Sequence, residues 1–190
     1  PRTGAKDWAN VIVNEPLPGS LTDVFGITIE EYTGLPANGT IKMKNVEAEL
    51  GAQNTCTGRN WAEMLNPKEA KASVYYETGM YRGKPAVTIN NFGEGAAVYI
   101  GSFTGEGFYS VLVDWLMRKK KIKPVLPSAD GFEAAERSSP DHRVVFALNH
   151  NEKAVKISCN GNEFEDLISG EKVEGFLKIR GLDAKILRRY

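Results

Sequence analysis

A change of pattern near residue 122 most restricts how this 190-residue chain can fold. A basic run over residues 119–123 leads directly into Pro124 and Pro127. Proline removes a backbone hydrogen-bond donor and favours turns, so neither a helix nor a strand is expected to continue across this stretch. A chain of this length holds one medium domain, or one domain with a small appendage. We therefore expect two domains, over residues 1–123 and 124–190.

The first domain shows two helix signals. Ser20 is predicted to cap a short helix, with Asp23 as its capping partner. Gly26 is expected to end that helix after Phe25. A second helix is predicted after Gly105, where apolar residues recur at spacings of three and four. Its apolar stripe consists of Phe108, Val111, Leu112, Trp115 and Leu116.

Strand signals fill much of the rest of this domain. Ala72–Glu77 is the strongest, and a turn is expected at Arg82–Pro85. Trp61–Leu65 lies among asparagine, glycine and proline residues, which favours a short turn structure. Residues 91–95 contain the glycines that a tight hairpin requires. Further strands are predicted at 27–32, 41–46, 86–90 and 96–102.

The second domain shows only short strands separated by turn residues, which is typical of a small antiparallel sandwich. The predicted strands are Phe132–Arg137, Arg143–Asn149, Ala154–Ser158, Phe164–Asp166, Gly175–Ile179 and Ala184–Arg189.

Charge and cysteine usage exclude several classes of partner. The chain has 24 basic and 24 acidic residues, so nothing favours nucleic acid or an anionic membrane. No segment is long and apolar enough to cross a bilayer, and no signal peptide is visible. Cys56 and Cys159 lack the spacing of a metal or redox pair, so we expect free thiols and a cytoplasmic protein.

Two short motifs could suggest functional sites, one a catalytic carboxylate pair and the other a dinucleotide-binding loop, but neither fits its chemistry. Glu30 and Glu31 are neighbours on a predicted strand, so their side chains point to opposite faces and cannot share one catalytic centre. Gly93-x-Gly95 lacks the third glycine that opens a helix in a dinucleotide site.

Histidine and nucleophile candidates also lack partners. His142 and His150 have no carboxylate or cysteine at ligand spacing, so we predict turn and cap roles for both. The possible nucleophiles lack a Gly-x-Ser-x-Gly elbow and an identifiable histidine base; they are Ser102, Ser110 and Cys56. The sequence therefore predicts no catalytic, cofactor-binding or metal-binding residue.

Five segments, in chain order, resemble one family, the family-42 β-galactosidases. Pro1-Arg2-Thr3-Gly4 with Lys6-Asp7 resembles the middle loop of its trimerisation domain, and residues 17–26 resemble the helix that follows. Residues 82–101 look like the closing hairpin of that domain. Phe-Ala-Leu-Asn-His at 146–150 and Asp-Leu-Ile-Ser-Gly at 166–170 resemble its small C-terminal β-domain.

The resemblance implies an α/β fold for residues 1–123: a partial flavodoxin-like domain, similar to class I glutamine amidotransferases, whose N-terminal half is missing. A small all-β antiparallel sandwich follows at 124–190. The intact enzyme would hydrolyse terminal β-D-galactosides with two glutamates on a barrel that this chain does not include. The chain itself would be a non-catalytic assembly portion of a trimer, without a cofactor.

Two other classes of function stay open from the sequence. A stand-alone amidotransferase-like or carbohydrate-binding module would bind a sugar saturably. A hydrolase with an unrecognised site would turn over an aryl β-galactoside.

The first eight residues contain the best candidate for a subunit interface. Trp8 lies in a polar loop, where a large aromatic side chain is costly to leave in water, whereas Trp115 belongs to the apolar stripe of a helix. Interfaces favour tryptophan and arginine anchors. We therefore predict that a neighbouring subunit contacts the following residues: Arg2, Lys6, Asp7 and Trp8.

Overall fold

The computed structural model describes residues 1–46 and 55–190. These residues form two compact units, Pro1–Lys120 and Lys121–Tyr190. Each unit has its own buried apolar clusters.

The first unit is built on one sheet of seven described strands. They are β1 (Ile27–Gly34), β2 (Thr40–Asn45), β3 (Thr55–Pro67), β4 (Lys71–Tyr76), β5 (Pro85–Phe92), β6 (Gly95–Ile100) and β7 (Ser102–Thr104). Their order is β1-β3-β2-β4-β5-β6, and β7 pairs with β3. The strands predicted from sequence in this unit are present, with ends shifted by one or two residues.

All pairings between these described strands are antiparallel. Parallel neighbours would need crossover connections of about a dozen residues or more. Several links here are short, and the link between β5 and β6 consists of Gly93 and Glu94 alone. The flavodoxin-like α/β description is therefore not confirmed, and the chain is mainly antiparallel sheet with few helices.

The turn predicted at Trp61–Leu65 is wrong, because these residues lie inside the long strand β3. The strand changes partner along its length: Thr55–Arg59 pairs with β2, and Trp61–Pro67 pairs with β1. Asn60, at the change, has a positive φ of 64°. Local asparagine and proline signals favoured a turn, but ladders with neighbouring strands override them.

Short helical segments cover one face of this sheet and a long helix covers the other. A 3₁₀ turn at Gly19–Leu21 leads into α1 (Thr22–Phe25). Gly26 ends α1 in the left-handed conformation, as predicted. The predicted Ser20 cap is wrong, because α1 begins at Thr22 and its N-cap residue, Leu21, makes no side-chain capping bond. The long helix α2 spans Glu106–Lys120.

The apolar stripe predicted for α2 packs onto the sheet. Phe108, Leu112 and Trp115 are buried against a cluster that includes Met43 and Val87. A second cluster joins Ile27, Ile29, Leu65, Ala70 and Tyr99 with Leu17 and Phe25. Val98 and Ile100 contact the first cluster, whereas Tyr99 belongs to the second. Because alternate strand residues point to opposite faces, both faces of the sheet are covered at β6.

The second unit is a small β-domain, as predicted. Its strands are β8 (Phe132–Ser138), β9 (Arg143–Asn149), β10 (Val155–Ser158), β11 (Phe164–Asp166), β12 (Lys172–Val173), β13 (Phe176–Ile179) and β14 (Asp183–Arg189). One sheet has the order β12-β11-β14-β9-β8, and β10 pairs with β13 in another. Its buried core includes Val145, Phe164, Leu177 and Leu187.

Two motif residues of this unit hold its turns. The Asn149 amide donates to the carbonyl oxygens of Lys153 and Arg180, each at 2.8 Å. The buried Asp166 carboxylate accepts bonds from the Ile168 backbone N–H at 3.1 Å and the Ser169 hydroxyl at 2.9 Å. These contacts give the two motifs a structural role.

Candidate functional site

Residues 6–12, here called the Trp8 loop, form a compact projection from the first unit. Asp7 shapes it: its Oδ1 atom accepts bonds from the backbone N–H groups of Ala9 and Val11, both at 2.9 Å. The Asp7 N–H also donates to the Val11 carbonyl oxygen at 2.9 Å. Lys6 Nζ donates to Asn10 Oδ1 at 2.9 Å, and Lys6 pairs with Ile12 in an isolated β-bridge.

The tip of the Trp8 loop is exposed and apolar. Trp8 is 97% exposed, and Val11 and Ile12 are 59% and 68% exposed. Lys6 and Asp7 make their described contacts within the loop, so they stabilise its shape. The Trp8 side chain is left exposed to solvent. A tryptophan beside two aliphatic side chains has the composition of an interface anchor.

Arg2 faces the sheet. Its guanidinium lies over the Trp61 ring, 5.0 Å from the centroid. Trp61 in turn stacks on Tyr32, with ring centroids 5.2 Å apart and an angle of 22° between the planes. The predicted interface residues are thus close in sequence but differ in their contacts. Arg2 packs on the sheet and lies in the N-terminal segment that leads into the Trp8 loop, here called the base of the loop.

Glu63, which the sequence analysis did not identify, is a buried carboxylate that binds the base of the loop through the Arg2 backbone. Glu63 lies on β3 and is 0% exposed. Its Oε1 atom accepts a bond from the Arg2 backbone N–H at 2.6 Å and from Trp61 Nε1 at 3.0 Å. The only sequence signal was an acidic residue between Ala62 and Met64, inside a segment interpreted as a turn.

Tyr99 completes the carboxylate site. Its hydroxyl donates to Glu63 Oε2 at 2.8 Å. Burial, followed by the nearby Glu63 charge, raises the pKa of Tyr99 far above its usual value. The group therefore stays protonated and remains a donor. With three described donors, the Glu63 carboxylate serves as an anchor rather than as an exposed acid or base.

Tyr76 contacts the backbone of the same residue, Glu63, on β3. Its buried hydroxyl lies 3.0 Å from the Glu63 carbonyl oxygen and 3.1 Å from that of Gly101. Burial raises the pKa of Tyr76 as well.

Close backbone packing also fixes the N-terminal segment. Gly4 has a φ of +72°, and a Cβ atom added there would lie 2.0 Å from the Pro18 carbonyl oxygen. Only glycine fits this approach without a shift.

The residues rejected as catalytic are not brought together in the described part of the chain. Glu30 and Glu31 are exposed at a register shift in β1. His150 lies 3.3 Å from Glu133 at the surface, and the His142 N–H donates to Ser139 Oγ in a turn. No three potential metal ligands cluster within residues 1–46 and 55–190.

Two of the three possible nucleophiles lie in settings that do not activate them, and the third, Ser110, is exposed on α2. Ser102 Oγ donates to the Trp61 carbonyl oxygen at 2.6 Å. Burial raises the pKa of the Cys56 thiol to about 11, so the reactive thiolate is scarce at neutral pH. Cys159 is a buried free thiol.

Comparison with known proteins identifies the family. The family model of the β-galactosidase trimerisation domain matches residues 1–123. This chain belongs to that family. A second model, that of the β-galactosidase C-terminal domain, matches residues 131–189. The resemblance to family-42 β-galactosidases is confirmed across both parts of the chain.

Individual relatives agree with this membership. The β-galactosidase BgaB of Geobacillus sp. (strain Y412MC61) is 28% identical over 175 residues, which cover 91% of this chain and 25% of BgaB. A β-galactosidase of Arthrobacter sp. is 33% identical over 159 residues, or 83% of this chain and 21% of that protein. The chain therefore spans about a quarter of the length of the relatives it matches.

A solved structure shows the same fold. The β-galactosidase of Bacillus circulans sp. alkalophilus superposes with a TM-score of 0.89 and 25% identity, covering 98% of this chain and 28% of that one. Within residues 1–46 and 55–190, no helix is both long and apolar enough to span a membrane.

Proposed function

We propose that this chain is the assembly portion of a β-galactosidase whose catalytic barrel lies outside it. The observation that carries the proposal is the tandem match to a trimerisation domain and a C-terminal domain, together covering most of the chain. The hydrolysis of terminal β-galactosides would belong to the remaining three quarters of the parent enzyme. The free thiols of Cys56 and Cys159 agree with assembly in the cytoplasm.

In the parent enzyme, the trimerisation domain would extend beyond the strands described here. A flavodoxin-like part of that domain would come from sequence outside this chain. The present residues would contribute the antiparallel portion and the small β-domain.

The Trp8 loop would contact a neighbouring subunit. Trp8 would insert into the partner, and Val11 and Ile12 would surround it with apolar area. Lys6 and Asp7 would hold the loop in shape, and Arg2 would join it to β3 through Trp61 and Glu63. Such a rigid loop loses little conformational freedom on association, which favours affinity.

Sedimentation of the full-length parent enzyme tests this function. We expect Trp8→Ala to raise the subunit dissociation constant about 30-fold or more, since a central aromatic anchor contributes about 2 kcal/mol or more. Phe176→Ala, which truncates another exposed aromatic side chain, is the control and should leave the constant unchanged. An unchanged constant for Trp8→Ala would contradict the interface assignment.

A sugar titration of the isolated chain separates the second class of function. Saturable galactoside binding without self-association would favour a carbohydrate-binding module over an assembly domain. Turnover of an aryl β-galactoside by the pure chain would contradict a non-catalytic role.

A further inference from the structure

The dipeptide Asn-Gly occurs twice in the chain, at residues 38–39 and 160–161. Its chemistry is distinctive, because glycine has no side chain to shield its backbone nitrogen. That nitrogen can attack the carbonyl carbon of the asparagine side chain and form a five-membered succinimide. Both dipeptides lie in turns, and both asparagines are exposed. The hydrogen bonds around them differ.

Asn160 and Gly161 are the two central residues of the turn from Cys159 to Asn162. The Asn162 N–H closes this turn by donating to the Cys159 carbonyl oxygen at 2.9 Å. Asn160 and Gly161 have positive φ values of 50° and 77°, as in the type I′ turn that favours Asn-Gly. The Gly161 N–H takes no part in closing the turn, and it has no acceptor within residues 1–46 and 55–190. The attacking nitrogen is therefore free.

A hydroxyl group polarises the carbonyl that this nitrogen would attack. Ser158 Oγ donates to Asn160 Oδ1 at 3.1 Å and accepts a bond from the Asn160 backbone N–H at 3.2 Å. Donation to a carbonyl oxygen stabilises the negative charge that develops on the oxygen during attack. The turn thus combines a free nucleophile with an activated electrophile.

The other Asn-Gly dipeptide is offset by one position in its turn. That turn runs from Pro36 to Gly39, so Asn38 is the third residue, where its φ of 62° is typical of a type II turn. The Gly39 N–H closes the turn by donating to the Pro36 carbonyl oxygen at 2.7 Å. This hydrogen bond must break before the Gly39 nitrogen can attack. In the described part of the chain, no side chain donates to Asn38.

We propose that Asn160 is a site of spontaneous deamidation in the folded protein and that the turn at Asn38 protects the second Asn-Gly dipeptide. The Gly161 nitrogen loses its proton to solvent and bonds to Asn160 Cγ, the Cγ–Nδ2 bond breaks, and ammonia leaves. Water then opens the succinimide at either carbonyl, which gives aspartate or isoaspartate at residue 160. The net reaction consumes one water and releases one ammonia, without oxidation or reduction.

The product changes the charge of a groove in the second unit. Asn160 lines this groove with Lys123, Glu136 and Arg189. Glu136 already pairs with Arg189 at 3.4 Å, whereas Lys123 has no charged partner among the described residues. A carboxylate at residue 160 adds a negative charge to this groove and takes the formal net charge of the chain from zero to −1. Isoaspartate also inserts one carbon into the backbone of the turn between β10 and β11.

Peptide mapping by mass spectrometry measures the reaction at both dipeptides. The full chain is incubated at mildly alkaline pH, once folded and once in urea, and the aspartate and isoaspartate forms of both sites are followed over time. The rates in urea are the reference, because they contain the effect of local sequence alone. Folding should slow deamidation of Asn38 at least about 10-fold more than that of Asn160. Equal slowing at the two sites, or greater slowing at Asn160, would overturn the proposal.

Ser158→Ala tests the role of the hydroxyl. It removes the donor to Asn160 Oδ1, so deamidation of Asn160 in the folded chain should slow by about threefold or more, while the rate at Asn38 stays the same. Circular dichroism verifies that the variant is folded. An unchanged rate at Asn160 would contradict activation by Ser158.

A matched pair of variants assigns the charged product by ion-exchange chromatography. Asn160→Gln should abolish most of the acidic form that accumulates in the folded chain, because the longer side chain would have to close a larger ring. Asn38→Gln should leave that form unchanged. An acidic form that accumulates equally in the Asn160→Gln variant would come from another residue and would overturn the assignment. The result does not depend on the assembly function, since every measurement uses the chain itself.

Discussion

The hydroxyl of Tyr99 on β6 donates to Glu63 Oε2 on β3 at 2.8 Å, and both residues are buried. β6 continues through Gly101 into β7, which pairs with β3. The bond therefore adds a side-chain link between β6 and β3 at the residue that also binds the Arg2 backbone N–H.

Removal of the buried carboxylate should destabilise the first unit. Glu63→Ala leaves the Arg2 N–H, Trp61 Nε1 and the Tyr99 hydroxyl without their described acceptor, and it opens a cavity. We expect the free energy of unfolding to fall by about 3 kcal/mol or more. Urea unfolding followed by tryptophan fluorescence measures it, since Trp8, Trp61 and Trp115 all lie in this unit.

Glu63→Gln is the matched control for this change. It keeps an acceptor oxygen and the side-chain volume, so its loss should be clearly smaller. Equal losses for the two variants would contradict the anchoring role of the carboxylate.

The first unit should weaken at alkaline pH. Folding raises the pKa of Tyr76 and Tyr99, mainly through burial. Their contribution is therefore complete below about pH 10, the ordinary tyrosine pKa, and is lost as the pH rises above it. Each group should lower the free energy of unfolding by up to about 1.4 kcal/mol per pH unit.

Urea midpoints between pH 8 and 11 measure this dependence. Tyr99→Phe should reduce the slope above pH 10 by up to about 1.4 kcal/mol per pH unit, while the other groups whose pKa folding raises, Tyr76, Tyr81 and Cys56, keep their share. A slope that this substitution leaves unchanged would mean that Tyr99 titrates alike in the folded and unfolded states.

The Gly4 contact should control how firmly the Trp8 loop is held. Gly4→Ala places a Cβ atom against Pro18 at a positive φ, so the segment must shift. We expect trypsin to cleave after Lys6 at least about 10-fold faster, equivalent to about 1.4 kcal/mol of easier opening. Gly34→Ala, where no atom lies within 4 Å of the added Cβ, is the control.

A buried ion pair should stabilise the second unit above acidic pH. Asp166 is 3% exposed and pairs with Lys185. Burial raises the pKa of Asp166, but bonds from Lys185, the Ile168 N–H and Ser169 outweigh it, so the pKa is lowered overall. Its stabilisation is present above about pH 4 and is lost as the pH falls through the lowered pKa.

Asp166→Ala should therefore lower the free energy of unfolding of the second unit by about 3 kcal/mol at pH 7, because it leaves the Lys185 charge without its partner. Circular dichroism during urea unfolding measures it. At a pH below the folded-state pKa of Asp166, the variant and the native chain should differ less; an equal difference at both pH values would contradict the ion-pair explanation.

Sequence patterns predicted the parts of the fold that depend on local spacing. The stripe from Phe108 to Leu116 predicted α2, and the glycines after Asn91 predicted the β5–β6 hairpin. The short strands of the second unit were predicted for the same reason. In each case the signal and the contacts that use it lie close together in the chain.

Features that depend on distant partners were not predictable in this way. Trp61–Leu65 carries turn signals, yet it forms a strand because β1 and β7 pair with β3 from elsewhere in the chain. Glu63 looked unremarkable because its donors come from Arg2, Trp61 and Tyr99. The antiparallel order of the sheet likewise depends on long-range pairing, whereas the resemblance had implied a flavodoxin-like domain.

The change of partner within β3 affects the order in which the sheet can fold during synthesis. β1 pairs with a part of β3 that comes 27 to 40 residues later, from Gly34 with Trp61 to Ile27 with Pro67, and β7 adds to the same strand. Contacts of such long sequence separation form slowly, because the intervening chain must be closed first. As the chain leaves the ribosome, β1 therefore has no partner until β3 has been synthesised. All the described strands of the sheet are available only after synthesis has passed Thr104.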